Sequence, residues 1–103
     1  MLCAHTVRRI KSGTFDEFIA AFPVAEGPPA GWVRFHALRS LGDENEVVTF
    51  GFFDGTLEEL ERSQDESDYR ELRERIDPLV EEVVVNGVYD IVVTRAPGSA
   101  VAG

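Results

Sequence analysis

Trp32, Arg34 and His36 occupy alternate positions in a segment, Gly31 to Leu41, that reads as a β-strand. Residues two apart in a strand share a face. The spacing therefore predicts an indole, a guanidinium and an imidazole side by side. An imidazole titrates near neutrality and can take a proton from a phenol or an activated carbon acid. A guanidinium can hold the enolate or phenolate oxygen as charge develops on it. An indole offers a flat apolar wall to an aromatic ligand. The chemistry this allows needs no metal and no organic cofactor. His36 deprotonates the substrate, Arg34 steadies the anion, and the anion passes an electron to dioxygen beside Trp32. The same residues also have a structural reading. His36 would then be a hydrogen-bonded strand histidine at a seam, Trp32 core, and Arg34 the partner of a carboxylate.

Three further side chains are candidates for substrate contact. His5 lies on the first strand, on the face of Cys3 and Val7. Tyr69 lies on the apolar side of a helical stretch with its hydroxyl free to donate. Asn86 precedes Gly87, where a bulge explains it equally well. Cys3 has no neighbours that argue for a reactive thiolate. Other chemistries find no support. One Cys and two His do not make a usual zinc site. The glycines form no phosphate-binding loop, and no nucleophile elbow is visible. No metal and no cofactor are expected.

The elements that must position these residues are legible in order. A first strand runs from about Leu2 to Ile10 and breaks at Lys11-Ser12-Gly13. Thr14-Phe15-Asp16-Glu17 reads as a capping box opening a helix with Phe15, Phe18, Ile19 and Phe22 on one face. Pro23 stops it, and Glu26-Gly27-Pro28-Pro29 keeps the connection irregular. The second strand turns at Gly42-Asp43-Glu44-Asn45 into a third, about Glu46 to Phe53. Thr56-Leu57-Glu58-Glu59 is a second capping box. After a polar break at Ser63 to Ser67, Tyr69, Leu72 and Ile76 share a helical face. Glu66/Arg70 and Glu71/Arg75 pair at i, i+4 outside it, and Asp77-Pro78 ends the helix. A valine-rich fourth strand spans about Val83 to Thr94. The order βαββαβ specifies one α+β domain, residues 1–95, with a four-stranded antiparallel sheet. Residues 96–103 read as a frayed tail.

Composition narrows the partners. A formal net charge of −9 makes nucleic acid a poor one, since phosphate binding needs clustered Lys and Arg. No apolar run reaches the ~20 residues that span a bilayer. The first ten residues show no signal-peptide pattern, and one cysteine suits a cytoplasmic protein. Large apolar residues fall on both faces of strands two, three and four. Whichever face the helices cover, Trp or Phe would be left outside. An exposed apolar sheet of that kind marks an interface, and two such sheets face to face make a closed homodimer. Phe15, Phe18, Phe22, Phe35 and Phe50 are the expected core.

The chain resembles the antibiotic biosynthesis monooxygenase-like proteins of the dimeric α+β barrel superfamily. The resemblance lies in His5-Thr6-Val7-Arg8 leading to Gly13, then Phe15-Asp16-Glu17-Phe18. It continues through the Pro/Gly loop before Gly31-Trp32, the hairpin, and the acidic helix start after strand three. Ser63 to Tyr69, Leu72 and Pro78-Leu79 complete it. The resemblance implies a ferredoxin-like subunit, pairing into a dimeric α+β barrel, and a pocket between sheet and helices. Some members oxidise polycyclic aromatic compounds with dioxygen and no cofactor, some degrade haem, and many have no known activity. Strand one has no Asn, the second helical region has no His, and the only Trp is Trp32, which places haem degradation third. Two readings stand ahead of it. One is a cofactor-free monooxygenase acting on an aromatic or polyketide-like small molecule. The other is a non-enzymatic dimer that binds a small ligand or scaffolds a partner.

Overall fold

The computed structural model describes residues 1–22, 31–65 and 67–95. Within them run β1 (Leu2–Ile10), α1 (Phe15–Ala20), β2 (Trp32–Arg39), β3 (Glu46–Phe53), α2 (Leu57–Gln64), α3 (Ser67–Ile76), a 3-10 turn (Asp77–Leu79) and β4 (Val80–Asp90). The four strands form one antiparallel sheet in the order β2-β3-β1-β4. This is the ferredoxin-like βαββαβ arrangement. The proline stop at Pro23, the irregular loop at 26–29, the Glu66/Arg70 pair and the tail at 96–103 lie outside the described residues.

Strand alternation divides the sheet cleanly at β3. Val47, Thr49, Gly51 and Phe53 are buried, while Glu46, Val48, Phe50 and Phe52 between them are only half-buried. The buried set faces the helices. On that side Ile10 and Val47 pack with Phe18 of α1, Ile76 of α3 and Leu79 of the 3-10 turn. Phe18 and Leu60 of α2 lose all contact with solvent. Full burial of such side chains is worth about 1.5–3 kcal/mol each, so short helices of six to ten residues hold on mainly through their apolar faces.

Several local expectations need correction. Thr14 makes no side-chain cap; its hydroxyl donates instead to the Lys11 carbonyl at 2.6 Å, closing the turn at Gly13, where φ is +79°. Thr56 and Glu59 do form the reciprocal capping box. β4 begins three residues earlier than its valine run suggested. Its irregular register falls at Val84 and Glu81, not at Asn86-Gly87. Gly87 instead leaves room for the Tyr89 ring, since a Cβ there would lie 2.9 Å from the Tyr89 hydroxyl. The surface pair on α3 is Arg73 with Asp77 at 3.1 Å, and Glu71 and Arg75 are not within ion-pair distance. Phe18 is core as expected. Phe50 lies on the face away from the helices, and Phe35, on the edge strand, is 44% exposed and stacks on Phe22.

Candidate functional site

Register decides which predicted residues meet. Trp32 pairs with Phe53, yet Arg34 pairs with Phe52, so Val33 is an extra residue in β2. A bulge of this kind reverses the facing of everything beyond it. Trp32 therefore points toward the helices, while Arg34 and His36 point to the opposite, open face. The expected Trp32/Arg34/His36 face does not exist. Trp32 lies across Gly51 and against the Phe53 ring edge at 5.1 Å, and its indole N–H donates to the Ser63 hydroxyl of α2 at 3.1 Å. It is a docking residue for α2.

The bulge brings a second set of the candidate residues together on the open face. His36 and His5 flank Phe50 in one cross-strand row. Strands lie about 4.8 Å apart, so the two histidine backbones are about 10 Å from each other. The His36 ring stacks on Phe50 at 4.9 Å and meets Phe52 edge-on at 6.0 Å. The Arg34 guanidinium sits over Phe52 at 5.4 Å. Tyr89 reaches the other end of the row, edge-on to His5 at 6.0 Å. One strand pair thus brings together an imidazole, a guanidinium and two phenyl rings, with a second imidazole next to them. Arg34 makes no ion pair with a carboxylate among the described residues. Sequence reasoning did not place Phe50 and Phe52 beside His36 and Arg34, because their spacing alone does not say which face the helices cover.

The remaining predicted residues lie on the helix side. Tyr69 of α3 is half-buried beside Arg73. Asn86 is exposed and accepts a 3.4 Å hydrogen bond from the Thr6 hydroxyl. The six candidates therefore split into His5, Arg34 and His36 on one face and Trp32, Tyr69 and Asn86 on the other. Cys3 is half-buried on the open face, and burial pushes its thiol pKa up, away from thiolate chemistry.

An open cleft of about 350 Å³ lies at the hairpin end, lined by Ser12, Phe15, Asp16, Arg39 and Glu44 among others. Arg39 covers the Phe15 ring there at 4.0 Å. None of the six candidates lines it. Among the described residues no group of three His, Cys, Asp or Glu side chains is arranged to hold a metal ion. Among the described residues no helix is long and apolar enough to cross a membrane.

No family model and no curated protein matches the chain. Its fold recurs in solved structures. One from Chloroflexus aurantiacus, provisionally named an antibiotic biosynthesis monooxygenase, superposes with a TM-score of 0.78 at 14% identity, covering 94% of this chain and 98% of that one. A protein of the same provisional name from Nitrosomonas europaea gives 0.73 at 17% identity, with 90% and 100% covered. SnoaB, a cofactor-independent oxygenase from Streptomyces nogalater, gives 0.66 at 17% identity, with 90% and 94% covered. The chain has the fold of the antibiotic biosynthesis monooxygenase-like proteins, as its sequence resemblance implied.

Proposed function

We propose that the chain is a cofactor-free monooxygenase acting on an aromatic or polyketide-like small molecule, with its reacting site on the open sheet face. The observation that carries this reading is the contact set of His36, Arg34, Phe50 and Phe52. His36 takes the proton from a phenol or activated carbon acid. Arg34 holds the anionic oxygen. Phe50 and Phe52 provide the aromatic platform, and His5, one strand spacing beyond Phe50 from His36, is a second polar contact. The anion then passes an electron to dioxygen. A second copy of the chain covers the face, keeps water from the intermediate and makes the working unit a homodimer. Leu38, Val85 and Tyr89, all exposed on this face, are the apolar surface that such pairing would cover. The description of SnoaB as a cofactor-independent oxygenase supports the reaction class.

The test is oxygen consumption by the metal-free chain with phenolic and polycyclic hydroxyaromatic compounds. His36→Ala should lower turnover by about 10²–10⁴-fold, the usual contribution of a general base. Equal turnover in that variant, with unchanged mass in solution, would remove His36 from the mechanism.

One observation favours the second reading, a dimer that binds a small apolar ligand or scaffolds a partner without turnover. The layer between sheet and helices, where the resemblance implies a pocket, is occupied by Phe18, Ile10, Leu60 and Ile76, each at most 1% exposed. On this reading His36 is a packing residue of the seam. Absence of oxygen uptake across the substrate panel, together with binding of an apolar dye to the intact dimer, would establish it.

A further inference from the structure

The centre of the open face is free of acid in an acid-rich chain. It runs from the cross-strand row of Arg34 and Phe52, through that of His36 and Phe50, to that of Leu38 and Val48. None of the chain's 19 acidic residues stands in these rows. The carboxylates of this face begin one row further on, at Glu46 and Glu82 on either side of Arg9. A net charge of −9 makes two copies of the chain repel each other. That repulsion is least across the acid-free rows, where Leu38 is 46% and Val85 37% exposed. Low repulsion and exposed apolar side chains on one patch fit a second copy of this chain.

The same absence of acid leaves two imidazoles without an anion. His36 and His5 are half-buried in the central row, and among the described residues no carboxylate lies within ion-pair distance of either. The groups that face them are few. β2 contributes Arg34, β1 contributes Cys3, and β4 contributes Tyr89, edge-on to His5. β3 offers Phe50 and Phe52, and its first carboxylate, Glu46, stands four residues from Phe50. Four residues of strand span about 14 Å, beyond the ~8 Å over which physiological salt screens charge. Arg34 already brings a permanent positive charge. A pair centred on these rows sets one acid-free patch against another. In the single chain, water solvates an imidazolium at either position. In the pair, the imidazolium must lose its proton or be desolvated without a partner.

We propose that pairing through the open face is gated by pH, with protonation of His36 and His5 separating the two copies. Pairing selects neutral imidazoles. Affinity is therefore full above the ordinary titration range of an imidazole and is lost as pH falls through it. Two other groups of this face and its rim stay out of that window. Burial pushes the Cys3 thiol above its ordinary value of 9.0, and hydrogen bonds hold the Asp43 carboxyl below 3.8. The gate rests on the pairing proposed for the oxygenase site and not on turnover.

The experiment is sedimentation equilibrium of the intact chain at about pH 7.5 and about pH 5.5, either side of the imidazole range, with circular dichroism at both. Each imidazole that must stay neutral weakens pairing about tenfold over that interval. The two copies of His36 alone make about a hundredfold change, and all four imidazoles about 10⁴-fold. The dissociation constant of the wild type should therefore rise at least about a hundredfold, with the dichroism unchanged. The double variant His5→Gln/His36→Gln should pair within about threefold equally at both pH values. Should that variant not pair, His36→Phe decides. It keeps a ring on Phe50 and removes two of the four protons, so its pH response should be at least about tenfold smaller than that of the wild type. Equal wild-type affinity at the two pH values overturns the proposal, and so does a response that survives in the double variant. Loss of dichroism at the lower pH also overturns it, because acid would then unfold the subunits rather than part them. A wild type of one-chain mass at the higher pH removes the pairing and the gate together. Absence of oxygen uptake in a chain whose pairing follows pH leaves the gate standing, so the two failures separate.

Discussion

Trp32 and His36 are four residues apart on one strand and point to opposite faces of the sheet. In a regular strand that spacing puts two side chains on the same face. The extra residue at Val33 reverses it. One consequence is a division of labour along β2. Its first residue holds α2 through Ser63, and its later residues furnish the open face.

Gly51→Ala tests the Trp32 side of this division. A Cβ at Gly51 would lie 2.8 Å from the Trp32 ring. The indole must move, and overpacking of that kind costs about 1–3 kcal/mol. Urea unfolding followed by the fluorescence of this single tryptophan should show a lower midpoint. Mass in solution should not change, because Gly51 faces the helices.

Phe50→Glu tests the open face. Phe50 is stacked on His36 in the centre of the surface proposed to meet a second copy. A carboxylate there would have to be desolvated on pairing, without a partner. Light scattering at micromolar concentration should give twice 11.4 kDa for the wild type and 11.4 kDa for the variant. A wild-type mass of one chain would refute the shared interface.

The two threonines at helix starts should behave differently. Thr56→Ala removes the hydroxyl that accepts from the Glu59 amide at 3.2 Å, and should cost about 1 kcal/mol. Thr14→Ala removes no cap bond and should cost less, through its turn contact with Lys11 alone. Chemical denaturation of both variants under one set of conditions checks the order. Equal losses would contradict it.

Acid should weaken a surface pair between strand and hairpin. The Arg9 guanidinium donates to Asp43 at 2.6 Å and the Asn45 amide donates to its other oxygen at 3.0 Å. The hydrogen bond from Arg9, then that from Asn45, hold the Asp43 carboxyl below its ordinary value of 3.8. A carboxyl with a depressed folded pKa stabilises above the unfolded pKa and loses that contribution as pH falls through the folded value. Asp43→Asn should therefore be less stable than the wild type at pH 7. The gap should narrow progressively below about pH 4. A gap of constant size between pH 7 and pH 2.5 would show that the charge of Asp43 contributes nothing.

The histidines, the guanidiniums and the aromatic residues of both faces were all visible as residue types. Their grouping was not. Phe50 illustrates the reason. Alternation correctly separated Val48, Phe50 and Phe52 from Val47, Thr49 and Phe53, but both sets are apolar, so pattern alone does not choose the covered one. Arg8 shows the same limit from the polar side. An arginine in a strand reads as surface, and only the packing of Phe18 and Ile76 around its neighbours makes it buried.

By itself the sequence determined the order of elements, the β2–β3 hairpin, the cap at Thr56 and the helix end at Asp77-Pro78. Each of these depends on residues within a few positions of one another, where hydrogen bonds and backbone sterics act locally. Tertiary structure alone decided the bulge at Val33, the face on which His36 stands and the burial of Arg8. Each of these depends on register and packing between strands far apart in the chain, and a shift of one residue there exchanges the two faces of the sheet.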